Sequence, residues 1–481
     1  MSAESWDLLV LGGGSAGIVA AKTAARLGAR VVLVEQHRTG GDCLWTGCVP
    51  SKALIAAAEA AASARQSGRF GVIVQEVKVD FTTVMEHVHT AIGRIAPIDS
   101  HEALEEAGVR VRSGHANFVE DGAVDVDGER IAFRQAIVAT GASPALPPIP
   151  GLSDLDALTS DTVWDLIEAP RRLAVLGGGS IGCELGQAFS RLGSAVTIVE
   201  GEDRILPRED TDAAAAVRLV LETEGVRLRV GQDVTAVEPA EPGGRSGRLR
   251  LGDGIAVEFD QLLVAVGRTP TTSELGFDRV GVQVSPRGFV VVDKHLRTTN
   301  PRIWAAGDLT GHPQFTHMAG NHGSLAASNA VLGLRRAVDL TAVPRVTYTR
   351  PEVAAVGVDT DRERDGVRII TQAHAHVDRA VAEQETGGFT KLAVDRRGRI
   401  LGATIVGPRA GESLGEVVLA VQRGLSTRDL SGVIHAYPTW NDGLWNAALA
   451  DVREQLDRPS TQRVLGTLAK GRRWWLERRA G

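Results

Sequence analysis

Cysteine is scarce: Cys43, Cys48 and Cys183 are the whole complement of 481 residues. Three cysteines in a chain this long cannot staple a fold, which excludes the small disulfide-scaffold class. Lysine is scarce too, confined to Lys22, Lys52, Lys78, Lys294, Lys391 and Lys470, so arginine carries most of the positive charge. We read that as compositional bias. No apolar run reaches the roughly 18 residues of a membrane span. Residues 1–7 are polar and acidic with a strand-like apolar run directly behind, unlike a secretory leader. A reducing cytoplasm is the expected setting. The net charge of −6 sets aside a broad nucleic-acid surface. With 43% hydrophobic and 23% charged residues, the chain is neither disordered nor fibrous. Its length suits about three compact units of roughly 150 residues.

Glycine, in contrast, is plentiful at 55 residues, and its placement is informative. The apolar run Leu8–Leu11 feeds Gly12-Gly13-Gly14-Ser15-Ala16-Gly17, then an alanine-rich helical stretch and a second apolar run, Val31–Val34. The pattern recurs as Leu173–Leu176, Gly177-Gly178-Gly179-Ser180-Ile181-Gly182, a helical stretch to Leu192, and Val196–Val199. Each copy predicts a strand, a tight turn and a helix. Gly12 permits the turn, Gly14 lets backbone approach a pyrophosphate, and Gly17 lets helix and strand pack closely. The helix N-terminus then offers free N–H groups to phosphate oxygens. Glu35 follows Gly12, and Glu200 follows Gly177, at the same spacing; a carboxylate at that strand end accepts ribose hydroxyls. Gly177, Gly179 and Gly182 repeat the first set. A single copy is weak, but two with matching acids predict two dinucleotide sites. Glu200 repels a 2′-phosphate, favouring NADH, with NADPH the alternative because Arg204 and Arg208 follow closely.

Residues 40–52 read Gly-Gly-Asp-Cys-Leu-Trp-Thr-Gly-Cys-Val-Pro-Ser-Lys. In an unbroken helix, Cα atoms five residues apart lie about 8.6 Å from each other, beyond the roughly 7 Å a disulfide spans. Cys43 and Cys48 can therefore bridge only if the segment is distorted or Cys43 stands at a helix entrance. Gly40, Gly41 and Gly47 permit that, and Pro50 is tolerated in a first turn. On spacing alone the two cysteines are either inert and buried or a reactive pair with a thiol activated at a helix N-terminus.

This segment resembles the redox-active signature of the class I pyridine nucleotide–disulfide oxidoreductases, the family of dihydrolipoamide dehydrogenase, glutathione reductase and mercuric reductase. The resemblance runs over nearly the whole chain. It implies an α/β fold with two Rossmann-like dinucleotide-binding domains and a C-terminal α+β dimerisation domain. The implied boundaries are 1–150 for the first FAD-binding part, 151–270 for the NAD(P)-binding domain, 271–340 for a further FAD-binding segment, 341–460 for dimerisation, and 461–481 for a basic, aromatic tail. By resemblance, Gly12, Gly14, Gly17 and Glu35 hold FAD, and Gly177, Gly179, Gly182 and Glu200 hold the nicotinamide cofactor. Thr140-Gly141 and Gly267-Arg268 match crossover turns beside the dinucleotides, and Gly307-Asp308 matches the second FAD fingerprint. Lys52 and Glu184 match an ion pair near the flavin. The implied electron path runs from NADH through flavin to a Cys43–Cys48 disulfide, with Cys48 next to the flavin and Cys43 as interchange thiol. No resident metal is expected, and a homodimer is.

The pattern breaks near the C-terminus. Thiol-exchanging members carry a His and, five residues later, a Glu, which serve the interchange thiol across the dimer. In His435-Ala436-Tyr437-Pro438-Thr439-Trp440-Asn441-Asp442, Tyr437 stands where that His belongs and Asp442 where that Glu belongs. Tyrosine, with an ordinary pKa near 10, is a poor base at neutral pH. Mercuric reductases place Tyr there too, but they also use a C-terminal cysteine pair, and no cysteine follows Cys183. The expected acceptor is therefore a small disulfide, a metal ion or a quinone. Two alternatives are a quinone reductase that bypasses the cysteines and a flavin-bearing interaction protein with little turnover. The tail Arg472-Arg473-Trp474-Trp475-Leu476-Glu477-Arg478-Arg479 is expected to be a docked or frayed helix, with a weak membrane-surface or partner contact as the alternative.

Overall fold

The computed structural model describes residues 5–362 and 364–479. The first four residues of the 1–150 span, one position of the 341–460 span and the last two of the 461–481 span lie outside the described residues. The chain forms two units. One holds the sequence up to Leu206 together with Leu221–Asp339, the other Pro207–Val220 together with the sequence from Leu340 onward.

The first unit is built on a mixed sheet with a parallel core and on a second, all-parallel sheet. β1 (Trp6–Leu11), β2 (Val31–Glu35), β3 (Val109–Ser113), β4 (Ala116–Glu120), β5 (Ala123–Val126) and β6 (Glu129–Val138) stand in the order β3-β2-β1-β6-β5-β4. β1, β2 and β3 run parallel, as do β1 and β6. Their central residues Leu8–Leu11 and Val31–Val34 are buried on both faces, which is why these strands read as continuous apolar runs rather than alternations. Strand Ile303–Ala305 returns much later to pair with β6.

The helix crossing from β1 to β2 is α1 (Ser15–Arg26). Its Ala20, Ala21 and Ala24 lie fully buried, against a core that includes Leu325, Ala326 and Ala327 of helix Thr316–Leu332. A Cβ at Gly323 would collide with the Ala16 carbonyl oxygen, so small residues set the close approach of these two helices.

The second sheet repeats the plan with strands Arg227–Arg229, Ala195–Val199, Arg172–Leu176 and Gln261–Val264, in that order and all parallel. Helix Ser180–Arg191 crosses between Arg172–Leu176 and Ala195–Val199. The Pro/Gly-rich stretch 239–247 turns between strands Val234–Pro239 and Gly247–Leu251 of an antiparallel meander. The two crossover turns of this unit pair with each other, Ala142–Pro144 against Arg268–Pro270.

The second unit carries a five-stranded antiparallel sheet ordered Arg345–Thr347, Glu352–Gly357, Ile400–Gly407, Phe389–Asp395, Val367–Ala373. Helices Ala410–Arg423 and Asp442–Asp457 bury Leu414, Val417, Leu444 and Ala447 in its core. This is the α+β arrangement expected after Pro344. Among the described residues no helix is long and apolar enough to cross a membrane.

Lys391 points from this sheet to Asp210, with Nζ 2.9 Å from both carboxylate oxygens and 2.7 Å from Asp212 Oδ2. The Lys391 and Asp210 side chains are 8% and 1% exposed. Burying an ion pair costs desolvation. Asp210 offsets part of it by accepting further hydrogen bonds from Thr360 Oγ1 (2.8 Å) and from the Asp212 and Ala213 N–H groups at 3.0 and 3.3 Å. Lys391→Met strands Asp210 as a buried, unpaired charge, and urea unfolding should show a loss of about 3–5 kcal/mol.

Candidate functional site

The two glycine turns agree down to their hydrogen bonds. Gly12 and Gly177 both sit at positive φ, +101° and +110°. A Cβ at Gly17 would collide with the Gly12 carbonyl oxygen, and one at Gly182 with that of Gly177. Glu35 Oε2 accepts from the Gly13 N–H at 2.6 Å and Oε1 from the His37 N–H at 2.8 Å. Glu200 does the same with Gly178 at 2.6 Å and Glu202 at 3.0 Å. Each carboxylate thus shapes its own turn and keeps lone pairs for ribose hydroxyls. The N-terminal N–H groups of α1 and of helix Ser180–Arg191 take no side-chain cap, and neither first turn contains an acidic residue. Both ends are therefore prepared for an anionic group. The first turn has an extra support. Gly40 donates to the Gly13 carbonyl at 2.8 Å, and Gly41, at φ +59°, approaches so closely that a Cβ would lie 2.6 Å from Gly14 Cα.

That support opens directly into the cysteine segment. Cys43 lies in the short helix α2 (Gly41–Trp45), and Cys48 is the first residue of α3 (Cys48–Gln66). The helix breaks at Thr46 and Gly47, and a Cβ at Gly47 would stand 2.9 Å from the Asp42 carbonyl oxygen. The break removes the spacing problem of a straight helix. Two indole N–H groups hold it in place: Trp45 donates to the Thr39 carbonyl at 2.7 Å, and Trp164 to the Thr46 carbonyl at 2.9 Å. Both cysteines are free thiols, Cys43 half-buried and Cys48 exposed, whereas Cys183 is buried.

The pair divides its proton unequally. The hydrogen bond from Cys43 draws the Cys48 thiol down to about 6, helped by the Thr316 hydroxyl and the Lys52 charge against the penalty of burial. Thr316 Oγ1 lies 3.2 Å from Cys48 Sγ. Cys43 is pushed well above the ordinary thiol range because it holds that shared proton, because it is partly buried, and because a negative sulfur stands beside it. Negative charge is thus favoured on Cys48 and the proton on Cys43. Lys52 Nζ donates to Glu184 Oε2 at 2.9 Å, joining α3 to helix Ser180–Arg191. Further along both helices Arg191 contacts Glu59 and Glu224, each at 2.6 Å, while Arg65 donates to the Arg191 carbonyl at 2.5 Å. The two helices are thus tied at both ends.

Arg268 gathers the remaining polar groups of this unit. It bonds to Asp42 and to the Ala142 carbonyl, and its Nε lies 3.9 Å from Asp308 Oδ2. That Nε is buried without a hydrogen-bond partner among the described residues. Burial raises the carboxyls of Asp42 and Asp308, and the Arg268 charge pulls both back down. Gly307, at φ +89°, donates its N–H to His322 Nδ1 at 3.3 Å. His322 therefore carries its proton on Nε2, which faces His312 Nδ1 at 3.3 Å. Burial, then the neighbouring His312, lowers His322 to about 4, so it stays neutral. Thr140 Oγ1 donates to the Thr271 carbonyl at 2.6 Å, and Gly141 accepts from the Thr271 N–H at 3.0 Å. Gly267 sits at φ +135°. Capless helix ends, glycine cradles and an orphaned buried guanidinium nitrogen together suit FAD along the first turn and a nicotinamide dinucleotide along the second.

In the second unit Tyr437 and Asp442 do not form the pair their register suggests. The Tyr437 hydroxyl donates to Asp378, while Asp442 Oδ2 accepts from the Thr439 N–H at 3.0 Å. The Asp378 carboxylate, by hydrogen bond and by charge, raises the Tyr437 phenol. His435 is held by Glu416, with Nε2 2.9 Å from Oε1, and by the Val433 carbonyl.

Residues 6–323 match the family model described as pyridine nucleotide-disulphide oxidoreductase. The chain belongs to that family. Residues 343–448 match the dimerisation domain of these oxidoreductases, which supports a homodimer. Mercuric reductase from Streptomyces lividans is 37% identical over 455 residues, covering 92% of this chain and 95% of that protein. Dihydrolipoyl dehydrogenase from Geobacillus stearothermophilus is 36% identical over 450 residues, with the same two coverages. The Cu(II) complex of the HOCl-induced flavoprotein disulfide reductase RclA from Escherichia coli superposes with a TM-score of 0.84 at 28% identity, over 93% of this chain and all of that one. The activity is that of pyridine nucleotide-disulphide oxidoreductases: NAD(P)H-dependent oxidoreduction through FAD and a redox disulfide.

For an oxidoreductase of this family, sequence reasoning finds the glycine turns, their acids and the cysteines. It misses Thr316, Asp42, His312 and His322. Thr316 meets Cys48 across 268 positions of chain, and no local pattern marks it. Asp42 stands beside Cys43 with its carboxylate assignment hidden until Arg268 arrives.

The charge division predicts two titrations. In the reduced protein, thiolate absorbance in the ultraviolet should rise with pH through a midpoint near 6. Cys43→Ala removes the stabilising donor and Lys52→Met the stabilising cation, so each should move the midpoint upward.

Proposed function

We propose that this enzyme carries electrons from NADH to a thiophilic or redox-active metal ion, through Cys43 and Cys48, in a reducing cytoplasm. The observation that carries the proposal is Tyr437. Exchange with a dithiol or disulfide substrate needs a base that takes and returns a proton at the interchange thiol. Here the corresponding position holds a phenol that keeps its proton and donates a hydrogen bond to Asp378, which raises its pKa. Reduction of a metal ion needs sulfur ligands and electrons but no such base. The family's chemistry balances as NADH + Hg(II) → NAD⁺ + H⁺ + Hg(0), or with two Cu(II) giving two Cu(I). The relatives, a mercuric reductase and a flavoprotein disulfide reductase seen as a Cu(II) complex, point the same way.

In this reading Gly12, Gly14, Gly17, Glu35, Thr140, Gly141, Gly307 and Asp308 hold FAD. Gly177, Gly179, Gly182 and Glu200 hold NADH, with Gly267 and Arg268 between the two dinucleotides. Bound flavin supplies the two-electron exchange between nicotinamide and sulfur. Lys52, oriented by Glu184, keeps positive charge beside Cys48 and so favours the charged, electron-rich form of the pair. Cys43 serves as the outward sulfur and gives up its proton when it ligates the metal ion. Tyr437 and Asp442 position the acceptor end of the partner's site rather than moving a proton. The Glu200 carboxylate, bonded to the second turn, disfavours the extra phosphate of NADPH.

Steady-state assays of NADH oxidation against Hg(II) and Cu(II) as thiol complexes, lipoamide, glutathione disulfide and a quinone test this directly. Metal-ion rates should exceed both disulfides by about tenfold or more, as expected when a general base is missing, and Cys48→Ala should abolish them. Lipoamide turnover above the metal rates would overturn the assignment. Full quinone turnover in a Cys43→Ala, Cys48→Ala variant would favour a cysteine-independent reductase instead.

A further inference from the structure

The last helix of the second unit, Pro459–Arg479, has no buried residue, yet it is not a simple solvated helix. Val464, Leu465, Leu468, Trp475 and Leu476 are all exposed, from 38% at Trp475 to 64% at Leu468. With Ala469 they fall within an arc of about 140° on a helical wheel. Arg463, Lys470 and Arg473 occupy the opposite side. Six positive residues, Arg463, Lys470, Arg472, Arg473, Arg478 and Arg479, stand against Glu477 alone. This leaves a net +5 on one helix of a chain whose total is −6.

Two of the arginines lie inside the apolar arc. Arg472 and Arg479 stack on the Trp475 ring, 4.2 and 4.3 Å from its centroid, and Arg478 stacks on Trp474 at 4.1 Å. A protein surface covering this face would have to bury those charges against carboxylates placed to match. A headgroup layer supplies phosphate oxygens at that depth, while Trp475 and the leucines reach the acyl boundary below and Trp474, on the other side of the helix, stays among the headgroups. The sequence itself is a weak helix former, interrupted by Gly466 and Gly471, so an external surface is what would hold it folded.

We propose that Pro459–Arg479 is an interfacial helix that docks the enzyme on an anionic phospholipid surface. The helix lies in the headgroup plane with the Val464–Leu476 face inward. The attraction is electrostatic at long range and apolar at contact, so it weakens with salt.

The test uses the full-length FAD-loaded enzyme with vesicles of phosphatidylcholine alone or mixed with phosphatidylglycerol, sedimented at low and high salt. Pelleting is expected with the anionic vesicles only, falling by about tenfold or more at high salt. Tryptophan emission should shift to the blue on binding, and the shift should be missing in Trp474→Phe, Trp475→Phe. Arg472→Gln, Arg473→Gln, Arg478→Gln, Arg479→Gln should lower vesicle binding by a similar factor and leave NADH oxidation with a soluble acceptor unchanged. Failure of the parent enzyme to pellet with anionic vesicles overturns the proposal, as does equal pelleting of a chain ending at Arg458. If the arginine variant instead shifts the protein from dimer to monomer while the parent ignores vesicles, the helix belongs to a second copy of the chain.

Discussion

One steric constraint underlies both dinucleotide turns. The carbonyl oxygen of Gly12 occupies the space a side chain at position 17 would need, and Gly177 stands in the same relation to position 182. Only backbone without Cβ lets a strand turn into a helix this tightly. Everything else in the first unit is arranged around that economy of space. The helix ends stay open because no side chain caps them, the acids at the strand ends fold back to the turns, and Gly40 and Gly41 press the cysteine segment onto the first of them. The redox pair is thus placed by the same crowding that makes the phosphate cradle.

Much of this was readable in advance because it is local. A glycine turn and the acid 23 residues on are joined by one helix and one strand, so their spacing in sequence fixes their spacing in the fold. The cysteines were half readable. Their separation set a limit on a straight helix, but only the structure shows the break at Thr46–Gly47 and the two indoles that hold it. What the sequence could not show are contacts made when distant chain returns. Thr316 beside Cys48 and Arg268 beside Asp42 are 268 and 226 positions apart. Tyr437 matches a family position by register, but the partner of its hydroxyl could not be read from it. Asp378, 59 residues earlier, accepts that hydrogen bond, and Asp442 is occupied with its own turn. The tail is the helix expected there, and it has no buried residue.

Charge placement separates the two sulfurs more than their covalent setting does. Both stand on adjoining helices, one within a short one and one at the start of a long one, and Thr316 faces both. Lys52 favours negative charge on one of them, and the single shared proton settles on the other. The result is a pair whose two sulfurs differ in charge, one favouring the anion and the other the proton.

The double tie between α3 and helix Ser180–Arg191 gives a distant arginine unexpected reach. Lys52 and Glu184 pin the near ends, and Arg191 with Glu59 and Arg65 pins the far ones. Two rods fastened at both ends behave as a truss, stiff against shear. Loosen the far joint and the near one becomes a pivot, so that a tilt begun at Arg191 is delivered to the sulfurs as misalignment. A residue that touches no reactant thereby shares in the aim of the ones that do.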